Sequence, residues 1–262
     1  MEKTIRYPSV LTIAGSDSGG CAGIQADLKT FSALGVFGAS VITSVTAQNT
    51  QEVRAIETLS VEIIRQQAEA VLDDITIDAV KTGMLPTAEI IATVAALIDR
   101  YHPATVIVDP VMVATSGARL ADASITDAFR QHLFPRLTLL TPNIPEAEAF
   151  SEMKIKTEND FHDAAETILQ QGCQAVLIKG GHFAAPQSTD ILFRQGKKPL
   201  SFVSPHINST NLHGTGCTFS SAIAAFMALG EEMEAAVALS KTFTAAAILH
   251  GCDVKTGKGC GP

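Results

Sequence analysis

The stretch of residues 104–112, in which an apolar run ends in an acid, constrains the fold more than any other part of the chain. Its centre is Val106-Ile107-Val108, and the acid Asp109 follows directly. A strand without polar alternation must be covered on both faces, as in a parallel sheet with helices on either side. The stretch therefore predicts an α/β architecture, in which ligands bind at the carboxyl ends of the strands.

The segments around this stretch alternate between predicted strands and predicted helices. Further strands are predicted at residues 9–14, 38–47, 78–82, 137–141 and 175–179, and a hairpin turns at residues 196–198. Helices are predicted at residues 21–34, 60–74, 86–101, 157–171, 218–229 and 233–250. This order is typical of a mostly parallel sheet covered on both faces. Because no repeat, low-complexity tract or linker interrupts it, we expect a single domain over residues 1–262.

Composition excludes several classes of function. The chain has 262 residues, 46% of them hydrophobic, and a formal net charge of -8. Binding to nucleic acid or to an anionic membrane needs a positive field, so neither is expected. The five cysteines form no close Cys-x-x-Cys pair, which argues against a disulfide framework or a zinc site. Neither a signal peptide nor a spanning segment is recognisable, and we expect a cytoplasmic protein.

The segment His213-Gly214-Thr215-Gly216-Cys217 precedes a small, apolar, helix-like run. The first N–H groups of a helix have no internal partner and lie at the positive end of its dipole. Residues 214–217 are therefore a candidate phosphate or anion hole, with Cys217 where a reactive group would sit. A tight turn before a packed helix, with a buried cysteine, is the equal alternative. The pattern is not that of a P-loop.

Polar residues follow two of the predicted strands. Asp109 ends one, and Asn143 and Glu146 come after the next. Oxygen ligands of this kind suit Mg²⁺. Taken singly, Asn143 is more simply a turn residue and Glu146 a favourable residue at the start of a helix. Lys179 ends a third strand before Gly180-Gly181, which makes it either a cation for a nucleotide phosphate or a solvated lysine.

Three further positions have two interpretations each. Asp27, in the first turns of a helix after a glycine-rich loop, is either a surface acid or a pocket acid. Gln48 stands at a strand end, where a polar residue can simply form a turn. Met84 is more often core filler than a ligand contact.

Seven separated motifs together carry a specific resemblance to a known family. They are Ala14-Gly-Ser-Asp-Ser-Gly-Gly20, Gly23-Ile-Gln-Ala-Asp27, Val45-Thr-Ala-Gln-Asn49, Lys81-Thr-Gly-Met84, Val108-Asp-Pro-Val111, Thr141-Pro-Asn143 and His213-Gly-Thr-Gly-Cys217. In this order they closely resemble the hydroxymethylpyrimidine/phosphomethylpyrimidine kinases of thiamine biosynthesis. The resemblance covers about residues 9–261. It implies a ribokinase-like three-layer α/β/α sandwich, a homodimer, and two successive ATP-dependent phosphorylations of 4-amino-5-hydroxymethyl-2-methylpyrimidine.

The resemblance also implies roles for individual residues. It places the pyrimidine against Gly15, Asp27, Gln48, Met84, Val111 and His213. A carboxamide such as that of Gln48 can answer both the donor and the acceptor of an aminopyrimidine. The implied magnesium network is Asp109, Asn143 and Glu146, and the implied anion hole is residues 214–217. Lys179 matches a phosphate-contacting lysine, and Lys241 is expected either to reach the nucleotide or to be solvated.

By the same resemblance, Cys217 occupies the position at which the sugar kinases of this superfamily have an aspartate that acts as general base. A helix N-terminus can lower a thiol pKa, so we hypothesise that Cys217 accepts the proton in the first phosphorylation, although ATP phosphates oppose a thiolate. The second acceptor is already an ionised phosphate and is expected to need Cys217 less.

Two other functions stay open on the sequence. A pyridoxal or pyridoxine kinase shares the cysteine-bearing loop, and a catalytically idle binding protein could share the fold. The Gln48 and Met84 matches favour the pyrimidine. Residues 255–262 resemble a glycine-rich segment near the nucleotide. Family members commonly continue past it, so some nucleotide or dimer contacts could be missing.

Overall fold

The computed structural model describes residues 6–112, 123–180 and 187–261. The nine strands in these ranges are β1 (Ser9–Asp17), β2 (Phe37–Gln48), β3 (Val53–Thr58), β4 (Ala79–Thr82), β5 (Thr105–Val108), β6 (Leu139–Leu140), β7 (Ala175–Lys179), β8 (Gln187–Arg194) and β9 (Leu200–Pro205). The eight α-helices in the same ranges are α1 (Gly23–Ala33), α2 (Val61–Leu72), α3 (Ala88–Tyr101), α4 (Ala123–Ala128), α5 (Ile144–Ser151), α6 (Glu158–Gln170), α7 (Thr215–Ala228) and α8 (Met233–Gly251). Within these ranges no helix combines the length and the apolar character needed to cross a bilayer.

The strands form one sheet in the order β3-β2-β1-β4-β5-β6-β7-β8-β9. Neighbours from β2 to β7 are parallel, whereas β3, β8 and β9 pair antiparallel. The predicted mostly parallel sheet and the hairpin of β8 and β9 are thus confirmed. Because parallel strands point the same way, the polar residues that follow β4, β5, β6 and β7 meet at one edge.

Helices cover both faces of the sheet, as expected. In β5, Val106 and Val108 pack into one core with α2 to α6, whereas Ile107 packs into the other with α7 and α8. Side chains alternate between the faces of a strand, so a continuously apolar strand feeds two cores. The three-layer α/β/α arrangement is confirmed.

Some boundaries differ from the predictions. β1 continues past Ala14 to Asp17, because Ser16 and Asp17 still pair with β2 beyond an irregularity in register. α7 begins at Thr215 and not at 218, so the predicted loop supplies the first turn of the helix. Strand β3 was not predicted, because its residues are mostly exposed and give no buried pattern. The short helical turns at residues 123–136 were also missed.

Candidate active site at the carboxyl edge of the sheet

A cavity of about 490 Å³ lies where the strands end and α7 begins. It brings together the residues expected to bind the acceptor with those expected to bind metal and phosphate. Its lining includes Gly15, Gln48, Met84, Asp109, Val111, Asn143, Glu146, Lys179, His213 and residues 214–217. We call it the acceptor cavity. Of the predicted site residues, only Asp27 and Lys241 are absent from its lining.

A second cavity of about 200 Å³ adjoins the first. It lies between β8, β9 and α8, and shares Lys179, Leu212, Thr215 and Gly216 with the acceptor cavity. Lys241 lies here: its Nζ donates to Asp190 Oδ2 at 2.7 Å and to Ser188 Oγ at 3.2 Å. The lysine is buried and not solvated. The two cavities therefore meet at the first turn of α7.

The N-terminus of α7 faces this junction. The helix begins after Gly214, whose φ is +84°, and no side chain caps it among the described residues. An added Cβ on Gly214 would overlap the backbone carbonyl of Cys21, so only glycine fits there. A Cβ on Gly216 would lie 3.8 Å from Lys179 Nζ and 3.9 Å from Asp109 Oδ2. The uncapped N–H groups and Lys179 can together hold an anion.

Asp109 is fixed by several donors. Its Oδ1 accepts from Lys179 Nζ at 2.7 Å and from Thr141 Oγ1 at 3.1 Å, and its Oδ2 accepts from Ser220 Oγ at 3.1 Å. The lysine thus neutralises this carboxylate while also lining both cavities. Of the two interpretations of Lys179, the solvated lysine does not hold, because its ammonium is paired with Asp109 at the junction of the cavities.

Asn143 and Glu146 form a reciprocal capping box at the start of α5. The Asn143 side chain accepts from the Glu146 N–H at 2.9 Å, and the Glu146 carboxylate accepts from the Asn143 N–H at 2.8 Å. Both residues also line the acceptor cavity. Asn143 and Glu146 thus start a helix and also line the cavity, so the two interpretations of these residues hold together.

Glu146 is a buried carboxyl beside a second carboxylate. Burial raises its pKa to about 7; Lys179 opposes this and Asp109 adds to it. A divalent cation would relieve such crowding of negative charge, and Asp109, Glu146 and the Asn143 amide supply the hard oxygen donors that Mg²⁺ prefers. These residues fit a magnesium ion.

Cys217 does not behave as its helix position suggested. Burial of its sulfur raises the thiol pKa to about 11, against the opposing field of Lys81, while Asp27 and Asp109 raise it further. The expected lowering of this pKa is therefore wrong, because desolvation of the charged form outweighs the lowering by Lys81 and by the Gly23 N–H. At neutral pH the sulfur carries its proton.

Asp27 is not in contact with the acceptor cavity. Its carboxylate is fully buried and accepts from Lys81 Nζ at 2.9 Å, Thr12 Oγ1 at 2.6 Å and Ser221 Oγ at 2.7 Å. The role as a pyrimidine contact is wrong in this structure, because internal donors occupy both oxygens. Lys81, for which the sequence analysis gave no role, is its partner.

Asp17 was also missed. The strand prediction stopped at residue 14 and gave Asp17 no role, but this residue ends β1 and lines the acceptor cavity. Its carboxylate accepts from the N–H groups of Gly19, Cys21 and Ala22 and lies 3.3 Å from His213 Nε2. The available signal was an acid inside a glycine-rich motif after a strand.

Comparison with known proteins covers almost the whole chain. A family model described as phosphomethylpyrimidine kinase matches residues 17–262. The hydroxymethylpyrimidine/phosphomethylpyrimidine kinase of Bacillus subtilis is 46% identical over 250 residues, 95% of this chain and 92% of the relative. The thiamine biosynthesis bifunctional protein ThiED of Geobacter sulfurreducens is 48% identical over 97% of this chain. The chain spans about half of that longer relative, 51%.

Solved structures of related kinases have the same fold as this chain. The phosphomethylpyrimidine kinase of Clostridium difficile superposes with a TM-score of 0.80 at 45% identity, covering 92% of this chain and 99% of the other. The pyridoxal kinase of Staphylococcus aureus in complex with AMP-PCP and pyridoxal superposes with a TM-score of 0.90 at 34% identity, covering 98% of this chain and 93% of the other. The expected ribokinase-like fold is confirmed, and the chain belongs to the phosphomethylpyrimidine kinase family.

Proposed function

We propose that this chain is an ATP-dependent kinase that phosphorylates 4-amino-5-hydroxymethyl-2-methylpyrimidine and then its monophosphate, giving the diphosphate used in thiamine biosynthesis. The observation that carries the proposal is the junction of two cavities at the uncapped N-terminus of α7. A phosphoryl group moving from one cavity to the other must pass that positive end. The names of the relatives support the choice of acceptor.

The acceptor ring lies in the proposal against Gly15, Met84 and Val111, with Gln48 and His213 at its polar edge. The nucleotide occupies the second cavity, where Lys241 and Lys179 offer positive charge to its phosphates. In the first step, the substrate hydroxyl oxygen bonds to the γ-phosphorus. The bond to the β,γ-bridging oxygen breaks, ADP leaves and one proton is released.

The chain stabilises charge more than it moves protons. The N–H groups of the first turn of α7 and the Lys179 ammonium face the γ-phosphoryl oxygens, whose charge must be balanced in a loose transition state. Cys217 holds a proton and cannot accept another one. It therefore positions the attacking hydroxyl, and the hydroxyl proton leaves late, as such transition states allow.

Asp109, Asn143 and Glu146 would hold Mg²⁺ beside the anion hole. The ion would supply positive charge that neutralises the phosphates during transfer. Lys179, which already donates to Asp109, keeps that carboxylate oriented toward the junction.

The experiment is to incubate the chain with magnesium-ATP and either the pyrimidine or pyridoxal, and to identify the products by mass. We expect pyrimidine diphosphate, with pyridoxal phosphorylated much more slowly. Gln48→Leu is the matched variant: it should impair the pyrimidine reaction and leave ATP binding intact. Efficient pyridoxal phosphorylation without pyrimidine diphosphate would identify the chain as a vitamin B6 kinase. ATP binding without turnover of either ring would refute both activities.

A cytoplasmic homodimer completes the proposal. Strand β3 forms one edge of the sheet and exposes Ile56, and a second subunit could cover this edge. Light scattering after gel filtration should give twice the mass of 27.5 kDa. A charged residue at Ile56 should shift the mass toward that of the monomer, and a monomeric native protein would refute the dimer.

A further inference from the structure

Asp17, His213 and Gln48 form a connected chain at the polar edge of the acceptor cavity. The Asp17 carboxylate lies 3.3 Å from His213 Nε2, and the same nitrogen lies 3.0 Å from Gln48 Nε2. Asp17 and His213 are buried. The hydroxyl of Thr46 lies on the far side of the carboxamide, 3.2 Å from Gln48 Oε1.

The carboxylate of Asp17 is an acceptor only. Burial works against its charge, but the hydrogen bond with His213 and the N–H groups of Ala22 and Gly19 outweigh it and lower the pKa of Asp17 below its usual value. An ionised carboxylate can only accept, so the contact with His213 requires a proton on Nε2. The other ring tautomer would place two acceptors against each other.

A proton on Nε2 decides the orientation of the Gln48 carboxamide. With its NH₂ group toward the ring, two donors would face each other at 3.0 Å. Turning the carboxamide by 180° removes the contact between two donors: the oxygen then accepts the Nε2 proton of His213, which it shares with Asp17 Oδ2, and the NH₂ group donates to Thr46.

The backbone of Gln48 is fixed as well. Ser18 Oγ donates to the Gln48 carbonyl and accepts from its N–H, both at 2.8 Å. With the backbone held, the orientation of the carboxamide is set by its contacts with His213 and Thr46. After these bonds are made, it still has one N–H donor and one oxygen lone pair for a ligand. A ring nitrogen beside an exocyclic amine, the edge of a 4-aminopyrimidine, matches that pair.

We propose that Asp17 is a positioning residue for acceptor choice: through His213 it fixes the Gln48 carboxamide with its oxygen toward the imidazole, which sets the sides on which its free oxygen and free N–H meet the amine and the ring nitrogen of the acceptor. The inference rests on the proposed kinase activity. Asp17 touches no reacting atom, and its effect appears in discrimination between acceptors.

The main test compares two acceptors, the 4-aminopyrimidine alcohol and the same alcohol without the amine. In the native enzyme we expect the amine to raise kcat/KM by at least about tenfold, the size of one to two hydrogen bonds. Asp17→Asn should lower that ratio several-fold, mainly through KM for the amine, and leave KM for ATP unchanged. Asp78→Asn is the matched control, because Asp78 also accepts a backbone N–H, that of Ser9, at the opposite end of β1. The control should keep the ratio.

A merely structural role for Asp17 would lower kcat/KM for both acceptors equally and leave the ratio intact, which would overturn the proposal. Nitrogen NMR on the native protein tests the same point if Asp17→Asn fails to fold. We expect His213 to carry a proton on Nε2, and a bare Nε2 would refute the inference. Absence of pyrimidine phosphorylation by the native enzyme would refute the proposed function instead, and the NMR result would still decide the tautomer.

Discussion

Lys81 and Asp27 form an ion pair whose two side chains are both fully buried. The Lys81 Nζ lies 2.9 Å from each carboxylate oxygen of Asp27. Burial alone would lower the pKa of Lys81, but the negative charges of Asp27 and Asp109 outweigh it and raise the pKa. The pair joins β4 to α1 in the layer beneath α7, where Ser221 also donates to Asp27.

We predict that Lys81→Met destabilises the protein by about 3–5 kcal/mol, because it leaves the Asp27 charge buried with only hydroxyl donors. That is a large share of the roughly 5–15 kcal/mol that stabilises a typical folded protein. The double variant Lys81→Met/Asp27→Leu should recover much of the loss, since no unpaired charge remains.

The assay is urea unfolding followed by circular dichroism, with the free energy of unfolding extrapolated to water. Arg6→Met is the control: it breaks the pair with Asp78, whose arginine is 53% exposed, and should cost no more than about 1 kcal/mol. A loss below about 1 kcal/mol for Lys81→Met, or a double variant as unstable as the sum of the two single ones, would refute the reasoning.

Three further predictions concern the site. The Cys217 thiol is protonated, so Cys217→Ala should lower the rates of the two phosphorylations by similar factors, each less than about tenfold. A loss of about 100-fold in the rate of the first step alone would show that the thiol acts as the base. The pKa of Glu146, raised to about 7, means that the folded state holds a proton that the unfolded state has lost, so between pH 4.5 and 7 this group makes the protein less stable as pH rises. In metal-free buffer, Glu146→Gln should remove up to about 1.4 kcal/mol per pH unit of that slope, and an unchanged slope would contradict the assignment. Gly214→Ala should abolish most activity by pushing α7 away from Cys21, whereas Gly230→Ala, at φ +95° with open space around it, should cost only about 1 kcal/mol and keep full activity.

The sequence alone predicted most of the architecture and much of the site. Strand and helix periods are local, so β5, α3 and α6 could be located from residues a few positions apart. The polar residues at the ends of parallel strands had to meet, because the topology of such a sheet places those ends at one edge. Asp109, Asn143 and Lys179 were predicted on this ground.

Only the tertiary structure decided the electrostatics. The motif predicted that Asp27 contacts the ligand, whereas in the structure Asp27 is an internal ion-pair partner. Its donors are Lys81, which is 54 residues away in the sequence, and Ser221, which is 194 residues away. Desolvation of the Cys217 sulfur likewise keeps its thiol protonated, against the expectation from its helix position. Charge states depend on desolvation and on partners distant in sequence, and neither is visible in a local pattern. The short motifs thus placed the reactive groups, whereas folding determined which of them are charged and which of them a ligand can reach.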